Sequence, residues 1–174
     1  MPVVSSGNLT VSGGEVVFES PLESSGAVEV QSDTTVKVHN ATLKSEEGQQ
    51  VLENMGTVEV VGRMEVKGNS SGEGVMRTAL GSEVMVSGGS HTVAGETLEV
   101  MGTMEVKEST VAITAAANMS GKLKVGSSGS VSFTGNRTHQ LKTQGQVGAT
   151  GTVLESEGTV VVEDGKLVLA SASR

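Results

Sequence analysis

Thr57-Val-Glu-Val-Val-Gly-Arg-Met-Glu-Val-Lys67 returns forty residues later as Thr97-Leu-Glu-Val-Met-Gly-Thr-Met-Glu-Val-Lys107, with eight of eleven positions identical. Fainter echoes are Gly26-Ala-Val-Glu-Val30, Gly158-Thr-Val-Val-Val162 and Gly165-Lys-Leu-Val-Leu169. Self-similarity at a fixed period is the mark of a stacked architecture, in which each repeat buries its apolar face against its neighbours. Within each copy the unit is smaller still: apolar-x-apolar, twice. Period-2 alternation sends the two outer residues of such a triplet to one face and the middle one to the other.

The triplet recurs from end to end. It reads Leu9-Thr-Val11, Val16-Val-Phe18, Val28-Glu-Val30, Val36-Lys-Val38, Val58-Glu-Val60, Met64-Glu-Val66 and Val84-Met-Val86. It continues as Leu98-Glu-Val100, Met104-Glu-Val106, Val111-Ala-Ile113, Leu123-Lys-Val125, Val131-Ser-Phe133, Val160-Val-Val162 and Leu167-Val-Leu169. Clean spacings are about six to eight residues, with Gly often one or two residues ahead of the strand. A sandwich would want longer strands and Asn-Gly or Asp-Gly hairpins, and Asp164-Gly165 is the single such dipeptide. Three short strands per lap give a coil near 20 residues, so the forty-residue repeat spans two laps. The expectation is an all-β, single-stranded parallel β-helix of about eight coils, filling residues 1–174 as one domain or one segment of a longer solenoid. The pattern lapses at 45–55, 68–82, 87–96, 115–121 and 134–148, which reads as loops along one edge, with a short helical turn expected at 45–54.

Composition agrees. There are 29 Val against one Ile, two Phe and no Tyr or Trp, so burial must come from stacked β-branched side chains. The 24 Gly, 22 Ser and 17 Thr supply frequent turns. A net charge of −8 and the missing aromatics argue against nucleic acid as a partner. No apolar stretch is long enough for membrane insertion by a helix. The absence of Cys excludes disulfides, cysteine–zinc sites and thiol nucleophiles. Met1-Pro-Val-Val-Ser-Ser-Gly7 has neither the basic nor the apolar region of a signal peptide.

The run Ser6-Gly-Asn-Leu-Thr-Val-Ser-Gly-Gly14, with the Gly-Thr-Val repeats, resembles right-handed parallel β-helix proteins. Autotransporter passengers, other pectin-lyase-like surface proteins and the shorter bactofilin filaments are of this type. The resemblance covers most of the chain and is one of pattern. It implies a right-handed triangular β-helix of the extracellular, adhesive or scaffold-forming kind, and it transfers no functional residue.

Four residue sets could carry chemistry. Asn8, Asn40, Asn69, Asn118 and Asn136 each begin an Asn-x-Ser/Thr sequon, five of the six Asn in the chain. Chance would give one or two. Either they carry N-glycans, which would place the chain outside the cell or in a secretory lumen, or Asn and Ser/Thr simply share a liking for turns. Glu29, Glu59, Glu65, Glu99 and Glu105 sit centrally in triplets. They read as a solvated outer face rather than a calcium ladder, since the chain has only two Asp, Asp33 and Asp164. His39, His91 and His139 are far apart in sequence and read as surface residues. Thr57, Thr97, Thr103, Thr152 and Thr159 build no Thr-x-Thr array of the kind that ice binding needs. No catalytic residue, metal site or cofactor is expected, and no enzyme.

What remains is the problem of ends. The first and last coils of a solenoid leave N–H and C=O rows unpaired over an apolar core. Met1–Ser6 is a short lid, and Val160, Val162, Leu167 and Leu169 lie near the other end with no amphipathic cap after them. The expected function is a non-enzymatic subunit of an extracellular or cell-surface fibre, built by head-to-tail stacking of copies of itself and carrying N-glycans. The alternative is an adhesin-type binding module that uses loops such as Asn136–Lys142.

Overall fold

The computed structural model describes residues 1–46, 49–126, 128–134, 138–142, 154–156, 159–162 and 166–170; beyond 137, side chains are described at His139 and Gln140. Among the described residues every strand pairing is parallel, and each strand between the first and last laps meets the strand one lap before it and the strand one lap after. Three ladders result. The first face stacks β1 (Val3–Ser5), β4 (Leu22–Ser24), the second halves of β6 (Thr34–Lys44) and β8 (Thr57–Lys67), β11 (Glu83–Ser87), β14 (Thr103–Lys107), β17 (Lys122–Val125) and β20 (Leu154–Ser156). The second face stacks β2 (Leu9–Val11), β5 (Val28–Val30), β7 (Gln50–Asn54), β9 (Asn69–Ser71), β12 (Ser90–Val93), β15 (Thr110–Ile113), β18 (Ser130–Phe133) and β21 (Thr159–Val162). The third stacks β3 (Gly14–Phe18), the first halves of β6 and β8, β10 (Val75–Thr78), β13 (Thr97–Val100), β16 (Ala116–Met119), β19 (Thr138–Lys142) and β22 (Lys166–Ala170).

The chain is therefore a parallel β-solenoid of about 7 turns of roughly 20 residues. Eight coils slightly overcounts it: eight strands on the second face enclose seven complete turns. At the usual strand separation the stack is about 35 Å long. β6 and β8 run through a corner without a break, which joins the first and third faces into one 14-stranded sheet. The register of β6 against β8 shifts by one residue between Val38 and Asn40, where the corner is turned.

The repeat does what its spacing requires. Val58, Met76 and Leu98 are successive partners in one column, as are Met64, Val84 and Met104. From Val28 to Phe133 the outer residues of the triplets belong to a single buried cluster, against which Leu9, Val16 and Phe18 pack half-buried. Burying a Val or Leu side chain is worth about 1.5–3 kcal/mol, and the column supplies one such residue per lap without needing an aromatic.

The lapses in the pattern hold strands. β7, β9, β10, β12 and β16 fall within four of them, and β19 falls within the fifth. Gln50–Asn54 is strand, so the helical turn expected at 45–54 is replaced there by β7. These strands escape an apolar-x-apolar search because each has an inward position that is small or polar. Thr78, Asn54, His91 and Ala117 occupy buried places in the stack. A ladder already held by its neighbours on both sides tolerates them, since the backbone pairing does not depend on the side chain.

Candidate functional site

The first lap is open on one side. β1 bonds to β4, β2 to β5 and β3 to β6, and none of the three has a second partner among the described residues. The amide of Val3 donates to Pro21 at 2.7 Å and that of Leu9 to Ala27 at 2.8 Å, both toward the second lap. A parallel strand directs alternate N–H and C=O groups to opposite sides, so each first-lap strand offers a half-ladder to the open side. Its inward side chains, Val11 apart, are correspondingly uncovered. Val3 is 42% exposed and Leu9, Val16 and Phe18 are half-buried, whereas Leu22, Val28 and Val36 one lap in are 2–4% exposed.

At the other end, the register sets Val160 beside Val131, Val162 beside Phe133, Leu167 beside His139 and Leu169 beside Leu141. Val131, Phe133 and His139 are fully buried interior residues. The expected assembly residues thus occupy register positions that continue the interior columns. Residues 138–142, expected to belong to a binding loop, are strand β19, held in register by β16 and β22.

The outward ladders carry paired charge. On the third face Lys37, Glu59, Arg77 and Glu99 follow one another lap by lap. Arg77 Nε donates to Glu99 at 2.9 Å, and Lys37 Nζ meets Glu15 at 3.0 Å. Glu15 beside it, with Glu59 adding, raises the Lys37 ammonium above its ordinary value. On the first face Arg63 reaches Glu83 at 3.8 Å. Glu59 and Glu99 share a column as expected, but Arg77 stands between them, and Met85 stands between Glu65 and Glu105. These interruptions came from the laps of the 40-residue repeat that do not repeat; the offset of about 20 residues was the signal that could have found them.

Comparison with protein-family models, with curated proteins and with solved structures gave no match.

Of the sequon residues, Asn8, Asn40 and Asn118 are exposed. Asn69 is half-buried at the start of β9, and its side-chain oxygen accepts from the Ser90 amide at 2.9 Å. Asn136 lies outside the described residues.

Histidine departs from its surface reading. His39 is exposed at a corner, but His91 is 2% exposed and His139 fully buried. His139 lies 5.0 Å from the Phe133 ring, centroid to centroid, and its Nδ1 faces the Ala117 amide at 3.4 Å. His91 Nε2 lies 3.2 Å from the Gly88 carbonyl, which can only accept, so Nε2 carries the proton. Nδ1 is then the acceptor for the Ser70 hydroxyl at 2.8 Å. Burial lowers the imidazole pKa, and the backbone acceptors at Gly88 and Ser87 partly oppose that. The neutral ring is a stacking unit of the interior. Ser70 and His91 are register partners, with Leu52 before them and Val111 after.

Proposed function

We propose that this chain is a structural subunit that assembles end to end, the open first lap of one copy receiving the last lap of another, in an extracellular or cell-surface fibre. The observation that carries the reading is the one-sided pairing of β1, β2 and β3 over half-covered Val3, Leu9, Val16 and Phe18. An unpaired ladder above an apolar interior is a template for another strand. The last lap continues the second-face columns through Val160 and Val162 and the third-face columns through Leu167 and Leu169, which gives a second copy matching register positions to meet. Such a contact is heterologous and does not close on itself, which makes a filament rather than a ring. The exposed sequon residues Asn8, Asn40 and Asn118 support the extracellular part of the proposal, since glycans at those places project from the side of the rod.

The test is electron microscopy of concentrated protein beside a Val3→Asp variant. A carboxylate on the open lap would lie buried in the joint without a partner, which is strongly unfavourable. Filaments are expected from the parent chain and short rods from the variant, with unchanged circular dichroism. Equal filament formation by both, or single rods from the parent at all concentrations, would remove the reading.

A further inference from the structure

Three successive laps cross from the third face to the first at one corner, and each presents an apolar side chain there. Val61, Leu80 and Met101 are 39, 63 and 49% exposed. Register on both flanks stacks them: Glu59, Arg77 and Glu99 are consecutive partners on the third face, and Arg63, Glu83 and Thr103 on the first. The segment between Thr78 and Glu83 is longer than those between Val60 and Arg63 or Val100 and Thr103, and Gly81 turns it with φ +77. Leu80 therefore stands out from the corner. Single exposed apolar residues mean little, but a contiguous ridge bordered by charge is the form that a contact surface takes.

The bordering charges are self-complementary. On the third-face flank the order by lap is Lys37, Glu59, Arg77, Glu99; on the first-face flank it is Asn40, Arg63, Glu83, Thr103. A two-fold axis perpendicular to the rod, midway between the levels of Val61 and Leu80, reverses this order and lays like flank on like flank. It sets Glu59 opposite Arg77, Lys37 opposite Glu99 and Arg63 opposite Glu83, each twice. Moving the axis to the level of Leu80 sets Arg77 against Arg77, Glu83 against Glu83 and Glu59 against Glu99. A parallel arrangement of the two rods retains fewer opposite pairs, leaving Lys37 against Asn40 and Glu99 against Thr103.

We propose that this ridge is the docking surface for a second copy of the chain, antiparallel, with Val61 of each copy against Leu80 of the other. The contact is isologous and so distinct from end-to-end stacking; it does not depend on that reading. Three side chains fall short of the roughly 800 Å² per partner of a stable dimer. The contact is accordingly weak between single subunits and gains strength when many copies are held in a row. The flanking charges set register more than affinity.

The chain has no Cys, so introduced thiols report the contact directly. Val61→Cys and Leu80→Cys proteins are mixed, oxidised with copper–phenanthroline, and compared with each alone and with Thr92→Cys on the exposed side of β12. All three sites tolerate the change, being outside the core. The mixed 61–80 disulfide is expected to form several-fold faster than either homodimer or the Thr92 control. Arg63→Glu in both proteins should slow it several-fold, and adding Glu83→Arg to both should restore it. A corner yield no higher than the control, or Leu80→Cys alone linking as fast as the mixture, overturns the proposal. Because the trap needs only two free rods, its result is independent of whether filaments form.

Discussion

At the residue scale the glycines show how closely the laps approach. A Cβ built on Gly121 would lie 1.8 Å from the carbonyl oxygen of Gly102, and one on Gly102 would lie 2.0 Å from that of Ser82. Neither glycine has a positive φ, so conformational freedom is not what requires them. The requirement is the carbonyl of the lap below. A glycine just ahead of a strand was legible in the sequence as a turn, but its stacking on the previous lap's corner could not be read without the register. Gly7 is the contrast, since a Cβ there meets nothing within 4 Å. Gly121→Ala is therefore expected to destabilise the chain by about 1–3 kcal/mol, the usual range for overpacking. Gly7→Ala should stay within about 0.5 kcal/mol of the parent. Urea midpoints for the two variants check the difference, and equal shifts would mean that the corners are looser than the close approach implies.

At the element scale the second face explains both what the sequence disclosed and what it hid. β5, β15 and β18 announce themselves as Val-Glu-Val, Val-Ala-Ile and Val-Ser-Phe, with inward Val28, Val111 and Val131. β9 and β12 lie between β7 and β15 in the same ladder, yet their partners Ser70 and His91 give no apolar alternation. Their place is dictated by neighbours, and it buries an imidazole that the sequence suggested would be in water. This has a consequence in pH. Burial lowers the folded-state pKa of His91, so the unfolded chain binds the proton more readily near pH 6.5 and below. The contribution to stability is whole above the unfolded value and is lost as pH falls from there through the folded value. Protonation would also cost Nδ1 its role as acceptor for Ser70. The expected outcome is a urea midpoint that falls on acidification from pH 8 to pH 5, with a shallower fall in His91→Asn. That variant should be the less stable of the two at pH 8. An identical pH dependence in both proteins would mean that the ring is not held neutral.

At the scale of the whole molecule, each lap touches only the laps before and after it, so the chain behaves as a one-dimensional stack. The valine triplets made that legible, because a period near 20 residues could be counted directly. The charge pairs that hold one lap to the next were not, since Arg77 and Glu99 come together only once the register is known. A stack predicts a response to deletion that a globular core does not. Ser82 and Gly102 both end a passage of the same corner, and the lap Glu83–Gly102 lies between them. Removing that lap joins Ser82 to Thr103 and lowers the β14 lap onto the β8 lap. Met104 then meets Met64 and Val106 meets Val66, apolar against apolar in the same columns. On the second face Val111 meets Ser70 in place of His91, and on the third Ala117 meets Met76 in place of Leu98. Every joint remains parallel and in register, so the shortened chain should fold into a rod about 5 Å shorter and unfold cooperatively. Deleting ten residues of the same lap instead would leave half a turn, put one face's strands beside another's, and give an unfolded or aggregated product. Circular dichroism and small-angle scattering on the two deletions decide it: if the full-lap deletion unfolds as completely as the half-lap one, the laps are not interchangeable, and the stack is held by something other than neighbour-to-neighbour pairing.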